Sequence, residues 1–110
     1  MKAEQNIQQE IVIWFTNNFC LKHHNPRCVI FAVPNGGSRN VVEAMNLKKT
    51  GVLSGGADLI VLMPLKMIFI EVKSDTGKQS PNQIDFEQRV EALGFQYFIV
   101  RSLAEFQKIV

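Results

Sequence analysis

Little in this chain is present in excess, and each shortage rules something out. Twelve Lys and Arg against ten Asp and Glu leave a formal charge of only +2, far from the balance of a protein that grips nucleic acid by overall charge. Any such contact must come from local clustering. The two cysteines, Cys20 and Cys28, form neither a paired framework nor a Cys-x-x-Cys unit, so they read as reduced thiols of a cytosolic protein. With His23 and His24 they could in principle ligate zinc, but their spacing matches no usual ligand pattern. No apolar run approaches the ~20 residues needed to span a bilayer, and the first residues hold no apolar signal segment, so the expected location is cytoplasmic. Repeats, linkers and low-complexity stretches are missing as well. With 110 residues, 46% of them hydrophobic and 20% charged, the expectation is one globular domain spanning residues 1–110.

Where charge does enter an apolar stretch, it is informative. From Gly55 to Lys73 the sequence reads as two apolar strands joined by a turn, and the only charged side chains within the strand bodies are Asp58, Glu71 and Lys73. Directly opposed residues of an antiparallel hairpin share a face, and faces alternate with a period of two. A turn centred between Pro64 and Leu65, with Pro64 at the first central position of a type I turn, sets Asp58 opposite Glu71 and brings Lys73 to the same face. A one-residue bulge would break that register. Buried charges are strongly disfavoured unless paired or bound to a metal. Two carboxylates suit a hard cation such as Mg²⁺, which keeps several waters and takes one or two protein acids plus substrate phosphates. The competing reading is a structural ion pair between Lys73 and one acid.

The remaining pattern places elements around this hairpin. Residues from Ala3 to about Leu21 carry Ile7, Ile11, Trp14 and Phe15 at helical spacing, with Glu4 on the same stripe. Cys28 to Val33 is a short apolar strand ended by Pro34, and the following Asn35-Gly36-Gly37-Ser38-Arg39 suits either a tight turn or a phosphate-contacting loop. Val41 to Lys49 reads as a short helix closed by Gly51, with Lys48 and Lys49 in its last turn. Ser80, Pro81 and Gln83 open a helix with a capping box, which stops at Gly94. Tyr97 to Val100 is a strand, and Ser102 with Glu105 caps a last helix. Arg39, Lys48, Lys49, Lys73 and Lys78 fall in or beside the hairpin site, whereas Glu87, Glu91 and Glu105 lie along the later helices as ordinary surface charge. The order is αβαββαβα, giving an α/β domain with a mixed central sheet and helices on both faces.

Gly56-Ala57-Asp58 followed by Glu71-Val72-Lys73 is similar to the signature of the PD-(D/E)xK nuclease superfamily, with Ala57 where that pattern often has Pro. More narrowly, the chain resembles the stand-alone form of the virus-type replication-repair nuclease (VRR-NUC) family. The pieces are Glu4-x-x-Ile7-Gln8-x-x-Ile11, Asn35 with Gly36-Gly37, Leu47-Lys48 before Gly51, the hairpin triad, Ser80-Pro81-x-Gln83 and Val100-Arg101-Ser102. The resemblance implies a restriction-endonuclease-like fold in which Asp58, Glu71 and the Val72 carbonyl hold one or two Mg²⁺ or Mn²⁺ ions. Lys73 then positions the attacking water, with Glu4 and Gln83 assisting. One amide cannot fill the capping and catalytic roles of Gln83 equally well. Nucleic-acid contacts fall to Asn35, Gly36, Gly37, Arg39, Lys48, Lys49 and Lys78.

The expected activity is metal-dependent hydrolysis of DNA phosphodiesters, structure-specific on branched or four-way-junction DNA in repair or recombination, within a bacterial or phage-infected cell. A two-fold homodimer would place two such centres on opposite strands. The alternative is an inactive nucleic-acid-binding module on the same fold.

Overall fold

The computed structural model describes residues 3–34 and 41–110, with the backbone alone at Val41 and Ala44. In chain order the elements are α1 (Ala3–Phe19), β1 (Val29–Ala32), α2 (Val41–Lys49), β2 (Leu59–Met63), β3 (Lys66–Val72), α3 (Pro81–Ala92), β4 (Gln96–Val100) and α4 (Leu103–Gln107). This is the expected αβαββαβα order. The strands lie side by side as β1-β2-β3-β4, antiparallel at the first two junctions and parallel between β3 and β4. The hairpin therefore occupies the centre of the mixed sheet.

Period-two alternation divides the apolar residues between two layers. Leu59, Val61, Ile68, Ile70 and Val72 pack with Ile11 and Phe15 of α1 and Phe106 of α4. Ile60, Phe69 and Tyr97 pack on the other face with Phe86 and Val90 of α3. Glu71 follows Phe69 by two residues and so falls on the α3 face. Burial is deep at the root of the hairpin and fades toward its tip, where Leu62 is exposed. Among the described residues no other helix or strand packs closely on α2, and its Val42 and Met45 are exposed. None of the described helices is long and apolar enough to cross a membrane. Cys28 belongs to the core under α1, and burial pushes the Cys20 thiol above its ordinary range.

The hairpin turn is not the expected type I. Met63 pairs with Lys66, leaving Pro64 and Leu65 as the central pair, and Leu65 has φ +56°. A positive φ at the second central position belongs to type II, which favours Gly or Asn there. Leucine in this region carries about 1 kcal/mol of backbone strain, and its side chain makes no compensating burial because it is fully exposed. Leu65→Asn is therefore expected to raise the melting temperature by a few degrees, as calorimetry would show. An unchanged or lower value would mean that the turn carries no strain.

Candidate active site

The β2–β3 register pairs Leu59 with Ile70, and one step further would set Asp58 against Glu71 as expected. The ladder changes at that step. The Asp58 N–H donates to the Ile70 carbonyl at 2.9 Å, so Asp58 and Leu59 both stand against one residue, as in a β-bulge. On its other side the Asp58 carbonyl accepts from Val33 N–H at 3.0 Å, which ties the bulged residue to the end of β1. Freed from direct opposition, the Asp58 carboxylate turns across the strand pair and accepts the Val72 N–H on Oδ2 at 2.7 Å. The two acids thus flank the Glu71–Val72 peptide, an approach that simple parity did not describe.

Glycine makes the entry to Asp58 feasible. Gly55 has φ +83°, and a Cβ there would lie 2.5 Å from the Asn82 carbonyl carbon at the start of α3. Asn82 fixes the same seam by donating to Ser54 Oγ at 3.0 Å. Gly55→Ala combines a left-handed backbone with a backbone collision, and an expected loss of about 3 kcal/mol follows. Denaturant titration checks this; a loss under 1 kcal/mol would mean that the loop is free to move away.

Glu71 is fully buried. Its Oε1 accepts from the Tyr97 hydroxyl at 2.5 Å and from Gln79 Nε2 at 3.0 Å, while Oε2 is buried with no hydrogen-bond donor. Lys73 Nζ lies 3.8 Å from Oε2, an ion pair beyond hydrogen-bond distance. A hydrogen-bonded ion pair closes to about 2.8 Å; this one is longer. Lys73 Nζ instead donates to Gln83 Oε1 at 2.9 Å.

Gln83 caps α3 and reaches Lys73 through the same oxygen. Its Oε1 also accepts the Ser80 N–H at 2.8 Å, completing the capping box with Ser80 Oγ at the Gln83 N–H. An amide oxygen has two lone pairs, so one atom both starts α3 and holds the lysine. The second expected capping box is modified: Ser102 Oγ accepts from Glu105 N–H, but Glu105 Oε1 takes the N–H of Arg101 at 2.6 Å.

The other expected residues are placed around this centre. Glu4 Oε2 accepts from Ser74 N–H at 3.3 Å, one residue beyond Lys73, so it braces the loop after β3. The same loop is fastened from β4 by Arg101, whose Nη1 donates to the carbonyls of Ser74 at 2.5 Å and Gly77 at 2.9 Å. Lys78 is exposed on that loop and Lys49 at the end of α2. Lys48 lines a cleft of about 440 Å³ with Ser54, Asn82 and Arg89, beside the chain segment that leads into Asp58. Asn35, Gly36, Gly37 and Arg39 lie outside the described residues.

Three participants were missed in the sequence. Tyr97 reaches Glu71 from β4, and burial first, then the Glu71 carboxylate, push its phenol above the ordinary range; it stays a donor at neutral pH. Gln79 donates to both Glu71 and Glu87, the latter at 2.9 Å. Glu87 is therefore no mere surface charge, contrary to expectation. Only Gln79 carried a readable signal, as a polar residue close before the capping box.

The donor set fits a hard divalent cation. One buried carboxylate oxygen without a donor, a second carboxylate held on the N–H of the next residue and an adjacent strand end with backbone carbonyls are oxygen ligands only. Among the described residues no group of three or more His, Cys, Asp or Glu side chains forms a ready cage. An ion here must keep waters or take substrate oxygens, which is how Mg²⁺ is bound.

The family model for the VRR-NUC domain matches residues 2–104. A solved structure titled "VRR_NUC domain protein" superimposes with a TM-score of 0.76 at 18% identity, covering 99% of this chain and 85% of that one. Another, titled "VRR_NUC domain", has a TM-score of 0.66 at 21% identity, covering 99% and 95%. Comparison with curated proteins gave no match. The mixed four-stranded sheet with flanking helices is the architecture of these neighbours, consistent with the restriction-endonuclease-like fold.

Proposed function

The chain belongs to the VRR-NUC family, which implies a nuclease of the PD-(D/E)xK type, and we propose that it is a Mg²⁺- or Mn²⁺-dependent endodeoxyribonuclease. The observation that carries the metal dependence is the buried Glu71 Oε2 without a donor, with the Asp58 carboxylate held on the N–H of the next residue, Val72. Asp58, Glu71 and the Val72 carbonyl would hold the cation, which supplies charge neutralisation at the phosphoryl oxygens and acidifies a bound water.

The chain's own groups do the rest. Lys73, aimed by Gln83, presents an ammonium that donates to the attacking water or to a phosphate oxygen and so fixes the line of attack. Asp58 and Glu71, both anionic, would repel a phosphodiester on their own, and a pure nucleic-acid binder gains nothing from them. That is the argument against the inactive binding module. Glu4 acts at the edge, by holding the Ser74 loop rather than by touching the reacting atoms. Lys48 in its cleft, with Lys49, Lys78, Arg39 and the Asn35-Gly36-Gly37 segment, supplies phosphate contacts along the DNA.

A single small domain offers one centre and little surface for reading sequence. Structure-specific cleavage of branched or four-way-junction DNA by a homodimer is the form of the activity we infer, within DNA repair or recombination in the cytoplasm. The test is digestion of duplex, flap and four-way-junction DNA by the purified protein with Mg²⁺, Mn²⁺ or EDTA. Cation-dependent cleavage that favours the junction supports the reading; binding without cleavage on every substrate supports the inactive module.

A further inference from the structure

We propose that Tyr97, Gln79 and Glu87 form a brace that holds Glu71 for cation binding, with Oε1 fixed to the protein and Oε2 left as the ligand atom. This inference rests on the reading of Asp58 and Glu71 as a cation site. The Glu71 carboxylate has four lone-pair sites, and the structure divides them sharply. Oε1 takes both protein donors, the Tyr97 hydroxyl and Gln79 Nε2. Oε2 takes none. A carboxylate held for purely structural reasons at full burial would satisfy both oxygens, since an unmade hydrogen bond there is costly.

Each member of the brace is itself fixed. Tyr97 stands two positions before Ile99, the partner of Glu71 in the parallel β3–β4 ladder, and its ring packs edge-on against Phe86 of α3, with centroids 6.0 Å apart. Gln79 spends one N–H on Glu71 and the other on Glu87 Oε1 at 2.9 Å. Both acceptors are carboxylates, so the amide nitrogen must face them and the amide cannot flip without losing both bonds. Glu87, one turn beyond Gln83 on α3, is thereby the anchor that aims the Gln79 donor. Tyr97 and Gln79 bond to the ligating Glu71 and not to the reacting atoms, so they are positioning residues. Groups of this kind typically set metal affinity by about 10–100-fold.

The chain has one tyrosine, which gives the test a direct readout. In protein labelled with ¹³Cζ-tyrosine, the single resonance should shift during a Mg²⁺ titration, with the same midpoint as Mg²⁺ binding by calorimetry. Tyr97→Phe should weaken calorimetric Mn²⁺ binding about 10-fold and raise the Mn²⁺ concentration needed for half-maximal cleavage by a similar factor. Glu87→Ala should also weaken Mn²⁺ binding, and Glu87→Gln, which keeps the acceptor oxygen, should restore it. The Glu87 pair carries the comparison alone if Tyr97→Phe does not fold. Unchanged Mn²⁺ affinity in Tyr97→Phe, or equal affinity in Glu87→Ala and Glu87→Gln, overturns the brace even if melting temperatures fall. Failure of the parent protein to bind Mn²⁺ at all overturns the cation site itself, a different result from a site that binds without needing the brace.

Discussion

Glu71→Gln is expected to abolish cleavage, by about 10³-fold or more, and to remove the protein's response to Mg²⁺ while leaving it folded. The variant keeps an oxygen for Tyr97 and Gln79, so the bonds at Oε1 survive. What disappears is the anionic oxygen without a donor. A 10³-fold loss corresponds to about 4 kcal/mol of transition-state stabilisation, within reach of one lost cation ligand. Stability gives the second readout. Mg²⁺ at about 100 times its dissociation constant should stabilise the parent by about 2.7 kcal/mol, a rise of about 10 °C or more for a domain of this size. The melting temperature of Glu71→Gln should not move. A parent protein whose melting point ignores Mg²⁺ would contradict the metal reading directly.

Lys73→Met should separate binding from chemistry in the opposite sense. The ammonium lies 3.8 Å from Glu71 Oε2 and is bonded to Gln83 rather than to that oxygen, so it is a neighbour of the cation site and not one of its ligands. Removing it should leave Mn²⁺ affinity equal or higher, because a competing positive charge is gone, while turnover falls about 10²–10⁴-fold, the range for a group that positions or moves a proton. Lys73→Arg should not restore full rate, since a planar guanidinium cannot take the place of a compact ammonium against one amide oxygen. Single-turnover rates at saturating Mn²⁺ check both variants. A Lys73→Met protein that cuts normally would reduce Lys73 to a structural charge.

Local chemistry made much of this molecule legible from sequence. Pro64 with the apolar runs on either side gave the hairpin and its residue pairing up to Leu59 and Ile70, and Ser80, Pro81 and Gln83 gave the start of α3, because these signals act within a few residues. The bulge at Asp58 was not readable, since it depends on β1 holding the Asp58 carbonyl from the other side. The type II turn was missed because Leu65 gives no sign of tolerating positive φ. Tyr97 and Glu87 were missed for a different reason. Their link to Glu71 runs through a parallel strand pairing and a helix face, both set by tertiary packing and invisible to spacing. The cap at Gln83 leaves its oxygen able to accept from Lys73 as well, because one oxygen atom accepts two bonds.

The most direct measurement is an anomalous difference map from crystals of the protein grown with Mn²⁺. The site described above predicts a peak within coordination distance, about 2.2 Å, of Asp58, Glu71 Oε2 and the Val72 carbonyl. No peak there, or a peak only elsewhere on the molecule, would contradict it.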